Sequence, residues 1–184
     1  MLKTLRNAFK IKDIRKKILY TFMMLVVIRI GSNLRIPGVD PKVVQEFFQQ
    51  NDGALGFIRA ITGGSFEQMS ILALGITPYI TSSIIMQLMT IAIPKLEEMQ
   101  REGEDGRKKI LEYTRYLTVG LALLQAIAMA VGFGTQGLLI KYGFKSVVVV
   151  VCTMTAGSAF LMWIGERITE SGVGNGISMV LLFN

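Results

Sequence analysis

The chain has 184 residues, 51% of them hydrophobic and 18% charged, with net charge +7, one cysteine and no histidine. Its apolar residues gather in blocks of about 18 or more instead of short periodic runs, which excludes an ordinary soluble domain and marks membrane spans. Basic residues fill the gaps between blocks, so the positive balance reads as the bias of cytoplasmic membrane loops instead of nucleic-acid binding; the absence of histidine removes the commonest general base and metal ligand.

Residues 1–17 carry Lys3, Arg6, Lys10, Lys12, Arg15, Lys16 and Lys17 against a single Asp13. They predict a basic cytoplasmic segment, part of which can lie on a membrane surface through Phe9, Ile11 and Ile14. The first crossing is expected over residues 18–36, ending at Pro37-Gly38, with no small-residue cleavage site after it. Arg29 lies inside that span and must snorkel or pair with a neighbouring helix. In the mixed stretch that follows, Asp40 can cap a short helix reaching Gln49, and Asn51-Asp52-Gly53 makes a turn. Leu55–Thr62 is apolar apart from Arg59, too short to cross, and set off by Gly63-Gly64. It reads as an interfacial re-entrant piece or as a movable stopper.

Residues 70–94 form an uncharged second span interrupted by Gly75 and Pro78. As one helix it places Ile76, Ile80, Ser83, Gln87 and Thr90 on one stripe and Thr77 and Thr81 on a second. Pro78 would free the Leu74 carbonyl, so this helix must face protein or water; alternatively its polar groups join helices together. Residues 95–109 predict a charged hairpin of five basic and five acidic residues, reversed at Gly103 and Gly106. That hairpin is either solvated surface or a docking site for a soluble partner.

A third span is expected over 110–133, with Glu112 and Arg115 paired near its start and Gln125 buried in its middle. The fourth, 146–164, holds a Val147–Val151 run, a packed Cys152, a small-residue face at Thr153 and Gly157, and Trp163 at its end. Residues 165–176 read as a cytoplasmic loop whose glycines follow no strand and so form no nucleotide fingerprint. Residues 177–184 begin a fifth span and stop within it, as a fragment would. Counting basic residues places the N-terminus and the 95–109 hairpin in the cytoplasm.

Three runs are specific: GGSFEQMSILALGITPYITSSIIMQLM, PKLEEMQREGEDGRKKILEYTRYLT and FLMWIGERITESGVGNGIS. Together they closely resemble the SecY family, the channel subunits of the bacterial Sec protein translocase, over essentially the whole chain. The resemblance implies an all-α polytopic membrane helix bundle, the first half of an inverted-repeat ten-span channel, cut within the fifth span. It implies a pore ring of Ile76, Ile80, Ile177 and Leu181, the last standing where the family often has isoleucine. It implies a plug over 54–64, with Leu55, Phe57, Ile58, Ile61, Gly63 and Gly64, in which Arg59 departs from the mostly neutral plugs of the family. Thr81 and Gln125 match lateral-gate positions; Arg101, Arg107, Lys108 and Lys109 sit on the expected partner-docking loop. The Ser83–Gln87–Thr90 stripe would line a wet cytoplasmic vestibule.

The implied function is conduction of unfolded secretory chains across the plasma membrane and sideways release of membrane helices into lipid. The implied partners are the small subunits SecE and SecG, the SecA motor or the ribosome, signal sequences, nascent chains and the lipid bilayer, with nucleic acid entering only as ribosomal RNA. No cofactor and no enzymatic activity are expected. A small-solute secondary transporter is the alternative, and would need an ion-coordinating cluster in the membrane. An intramembrane enzyme would need a nucleophile–base pair.

Overall fold

The computed structural model describes residues 11–37, 39, 69–135, 137 and 143–183. Among these the named elements are all helices: α1 (Lys12–Asn33), α2 (Thr77–Ala92), α3 (Pro94–Arg101), α4 (Glu104–Thr135), α5 (Phe144–Ser171) and α6 (Gly176–Phe183). By length and composition α4 and α5 each qualify to cross a bilayer, and α2 with α3 qualifies as a pair bent by 101°. The Val147–Val151 run, strand-like in water, is helical here, as a span requires.

The charged first turn is part of α1, which ends at Asn33, three residues before the expected end of the first span. Leu34 to Ile36 instead runs antiparallel to Met69–Ile71. The Ile36 amide donates to the Met69 carbonyl at 2.9 Å and the Ile71 amide to the Leu34 carbonyl at 2.8 Å. Ile71 to Ile76 is then a series of turns, and α2 begins only at Thr77. This corrects the expectation of one helix over 70–94 with a proline in its middle. Gly75 adopts φ +60°, and Pro78 sits in the first turn of α2, where a missing amide costs no hydrogen bond.

The other end of α2 is also sharper than expected. Ile93 is extended and Pro94 opens α3, because a proline pushes the residue before it out of helical geometry. The 95–109 segment is therefore no irregular hairpin: α3, a turn at Gly103 with φ +88°, and the first turn of α4 account for it. Gly106 takes no part in the reversal. It is buried inside α4, where a Cβ would collide with the Met99 carbonyl of α3.

Helix α4 buries Gly106, Thr114, Thr118, Ala122, Ala126, Ala130 and Gly134, small residues mostly four apart. At 100° per residue such a stripe advances roughly 40° per step, so it winds around the helix. Its start therefore faces α3 and α2, while Ala126 and Ala130 meet Val150, Val151 and Met154 of the antiparallel α5. The threonines bond back to their own helix, Thr114 to the Ile110 carbonyl at 2.8 Å and Thr118 to the Thr114 carbonyl at 2.7 Å. These two hydroxyls are thus satisfied without a partner helix.

Helix α5 continues to Ser171, so most of the expected 165–176 loop is helical and only 172–175 connects it to α6. No Gly or Pro interrupts Glu166–Ser171, and Ile164 and Ile168 keep burying the same face. Cys152 on α5 is exposed instead of packed, and Gly157 admits the Ile71 carbonyl of the turn segment, so its close neighbour is a turn and not a helix.

Candidate functional site

The residues singled out as a pore ring come from two elements roughly a hundred positions apart, and three of the four meet. Ile76 is fully buried in a cluster with Leu72, Tyr79, Leu161, Ile164, Ile168 and Val180; Ile80 and Ile177, both half-buried, pack against that cluster. Leu181 is not drawn in and remains 46% exposed. The Ile80 amide donates to the Ile76 carbonyl at 3.1 Å, so the four-residue spacing holds although Ile76 only caps the helix.

Local chemistry at the α5–α6 junction explains how Ile177 arrives there. Gly174 takes φ +75°, and the Asn175 side-chain oxygen accepts the Ile177 and Ser178 amides at 3.0 and 3.4 Å, capping α6. Thr169 donates to the Gly165 carbonyl and accepts the Gly176 amide, both at 2.9 Å. Gly165 and Gly176 lie so close that a Cβ on Gly176 would overlap the Gly165 carbonyl oxygen. A Cβ on Gly165 would stand 3.4 Å from Ile76 Cδ1 and 3.5 Å from Ile177 Cγ1, so this glycine lies between the two isoleucines. Thr21 of α1 closes the junction by accepting the Val173 amide at 3.1 Å.

Along α2 the expected stripe divides. Its first part enters the apolar cluster. Its second part, Ser83, Gln87 and Thr90, lines a cavity of about 550 Å³ together with Tyr79, Gln100, Arg107 and Thr114. Thr90 is buried and donates to the Met86 carbonyl at 2.7 Å, while Gln87 is exposed and reaches the Ser83 hydroxyl at 3.5 Å. The threonine strip lies on another face: Thr81 donates to the Thr77 carbonyl at 3.1 Å, and Thr77 is exposed. Gln125 is half-buried on α4.

The cations of the expected docking loop differ in availability. Arg101 is held by Glu97 at 2.6 Å and Lys108 lies 3.8 Å from Asp105, whereas Arg107 turns to the cavity and Lys109 is exposed. Leu55, Phe57, Ile58, Ile61, Gly63 and Gly64, with Arg59, lie outside the described residues.

Sequence spacing misassigned one charge. Arg115 does not pair with Glu112 one turn away. Its guanidinium grips Glu166 of α5 through two bonds, Nε to Oε1 at 3.0 Å and a terminal nitrogen to Oε2 at 2.9 Å. A planar fork facing a carboxylate across two helices outcompetes a single exposed contact along one. Glu166, Thr169 and Asn175 are the site residues that motif reading passed over; the signal for Glu166 was the first acid after an uncharged span.

The SecY family model matches residues 70–184. The chain is 49% identical over 172 residues to the protein translocase subunit SecY of Pseudomonas aeruginosa, covering 93% of this chain and 39% of that protein. It is 43% identical over 185 residues to that of Bacillus subtilis, covering 98% and 42%, and 44% identical over 198 residues to that of Streptomyces coelicolor, covering 100% and 45%. It thus spans less than half the length of these relatives. Among solved structures it is similar to the Sec61 of a canine ribosome–channel complex from the endoplasmic reticulum, with TM-score 0.61 at 20% identity, covering 92% of this chain and 36% of that one. A structure described as a protein conducting channel gives TM-score 0.61 and 20% identity, covering 92% and 35%. At that identity the likeness concerns the fold.

Proposed function

The chain belongs to the SecY family, and from that premise we propose that it supplies one wall of a protein-conducting pore in the plasma membrane. Unfolded secretory chains pass along the pore, and membrane helices leave it sideways into lipid. The observation that carries this reading is the meeting of Ile76, Ile80 and Ile177 in one apolar cluster beside a cavity lined by Ser83, Gln87 and Thr90. An apolar collar limits water and ion leakage by dewetting when empty, and a polar vestibule below it admits a hydrated peptide backbone.

The N-terminus and the α3–α4 turn lie in the cytoplasm in this proposal, on the side rich in Lys and Arg. Residues 54–64 act as a plug on the opposite side, and Thr81 and Gln125 belong to the lateral gate. SecE and SecG complete the complex, while SecA or a ribosome delivers signal sequences and nascent chains. The test is reconstitution of the full-length protein with these partners. Passage of a secretory precursor is expected. Uptake of a small solute without precursor passage would overturn the reading in favour of a secondary transporter.

The α3–α4 turn makes a second expectation. Charge reversal at Arg107, Lys108 and Lys109 together is expected to weaken binding of the motor or ribosome to proteoliposomes by about tenfold at low salt. Arg101→Glu alone costs less, because that side chain is already engaged by Glu97. Equilibrium binding across a salt series measures both; equal affinity for the triple variant and the parent would leave the turn as plain solvated surface.

A further inference from the structure

Among the described residues, three ion pairs stay within one helix: Glu97–Arg101, Asp105–Lys108 and Arg167–Glu170. Arg115–Glu166 joins two helices, and the Glu166 side chain is only 14% exposed. Exposed pairs along a helix contribute little. A two-pronged guanidinium–carboxylate contact is geometrically exacting even though the Arg115 side chain stays 44% exposed.

General adhesion does not account for it. Ala126 and Ala130 already hold the far half of α4 against Val150, Val151 and Met154 of α5. The pair sits instead where a third helix arrives. Tyr79, in the first turn of α2, is 5% exposed and shares a buried cluster with Leu161 and Met162, and Met162 in turn lines the same small cavity as Arg115 and Glu166. Tyr79 follows Ile76 by three residues and precedes Ile80 by one. Whatever fixes Tyr79 fixes both isoleucines.

We propose that Arg115–Glu166 is a positioning latch for the collar: by clamping α4 to α5 beside Tyr79, it sets the resting place of the α2 end that carries Ile76 and Ile80. The proposal rests on the channel reading above. Neither residue touches the translocating chain; both act through Tyr79. Loss of the clamp lets the α2 end shift and loosens the closed collar, while the open pore, already parted, is unaffected.

The experiment uses the full-length protein with its partner subunits in planar bilayers. It compares conductance at rest with conductance while a precursor is engaged. Arg115→Gln and Glu166→Gln are each expected to raise resting conductance on the order of tenfold, the size of an ordinary coupling between sites. Engaged conductance stays at the parental value. The exchanged pair, Arg115→Glu with Glu166→Arg, is expected to return the leak to within about twofold of the parent, as a coupled pair should. Should either single variant assemble poorly, Arg115→Lys keeps the charge, loses the fork and still leaks more than the parent. Unchanged resting conductance in Arg115→Lys and Glu166→Gln would overturn the latch, and so would equal rises at rest and when engaged. Precursor passage by the parent, scored in the same preparation, tests the channel reading separately.

Discussion

Gly157→Ala and Gly176→Ala each lower the thermal midpoint of the full-length protein, by about 5 °C for an overpacking penalty of roughly 1–3 kcal/mol. Gly120→Ala leaves the midpoint unchanged or raises it. The three substitutions add the same methyl group to a helical glycine, and alanine is the better helix former by about 0.5–1 kcal/mol. What separates them is the neighbour. The Gly157 methyl would meet the Ile71 carbonyl and the Gly176 methyl the Gly165 carbonyl, whereas Gly120 has nothing within 4 Å. A side chain turns aside at small cost; a backbone carbonyl moves only with the segment that carries it. The readout is thermal unfolding in detergent, or the inactivation half-life where unfolding is irreversible. Equal midpoints for all three variants would mean that those backbones do not approach so closely.

Gly176→Ala has a further consequence, because its close approach to Gly165 brings the Ile177 end of α6 against α5 near Ile76. Forcing α6 outward withdraws Ile177 from the cluster. Loss of stability and a leak at rest are therefore expected together for Gly176→Ala, while Gly157→Ala, acting on the turn segment, affects mainly stability. A leak from Gly176→Ala would tie the proposed collar to a glycine whose nearest neighbours are backbone and side-chain atoms of α5.

These contacts also show what was legible in the sequence. Uncharged blocks gave the two longest helices directly, because a span must satisfy its own backbone. The family motifs located Ile76, Ile80 and Ile177, which do converge. Breakers were harder to place. Pro78 reads equally as a kink within a helix or as a residue of its first turn, and only the pairing of Leu34–Ile36 with Met69–Ile71 decides for the latter. Gly106 looked like a turn residue beside Gly103, yet positive φ belongs to Gly103 and close packing to Gly106. Arg115 shows the limit best. Spacing exposes the neighbour at i−3, but the partner it holds is 51 residues away, on a helix whose register depends on a stripe of small residues.

The collar makes the last prediction, and burial separates its members. Ile80→Ser in the full-length protein is expected to raise resting ion conductance several-fold with little loss of stability, because Ile80 is only half-buried and a hydroxyl there invites water into the constriction. Ile76→Ser is expected to leak as well but also to cost about 2–5 kcal/mol, because Ile76 is 1% exposed and its removal leaves a hole among Leu72, Tyr79 and Leu161. Leu181→Ser, at a side chain 46% exposed on α6, should disturb folding least of the four. Ile177→Ser resembles Ile80→Ser. Planar-bilayer conductance measured beside thermal stability distinguishes a gasket from a core. Leak that tracks destabilisation, with Ile76→Ser affected and Ile80→Ser silent, would reduce the cluster to ordinary packing. Leak from Ile80→Ser and Ile177→Ser at full stability would mark those two as the surface against which an empty pore closes, with Ile76 as the buried post behind them.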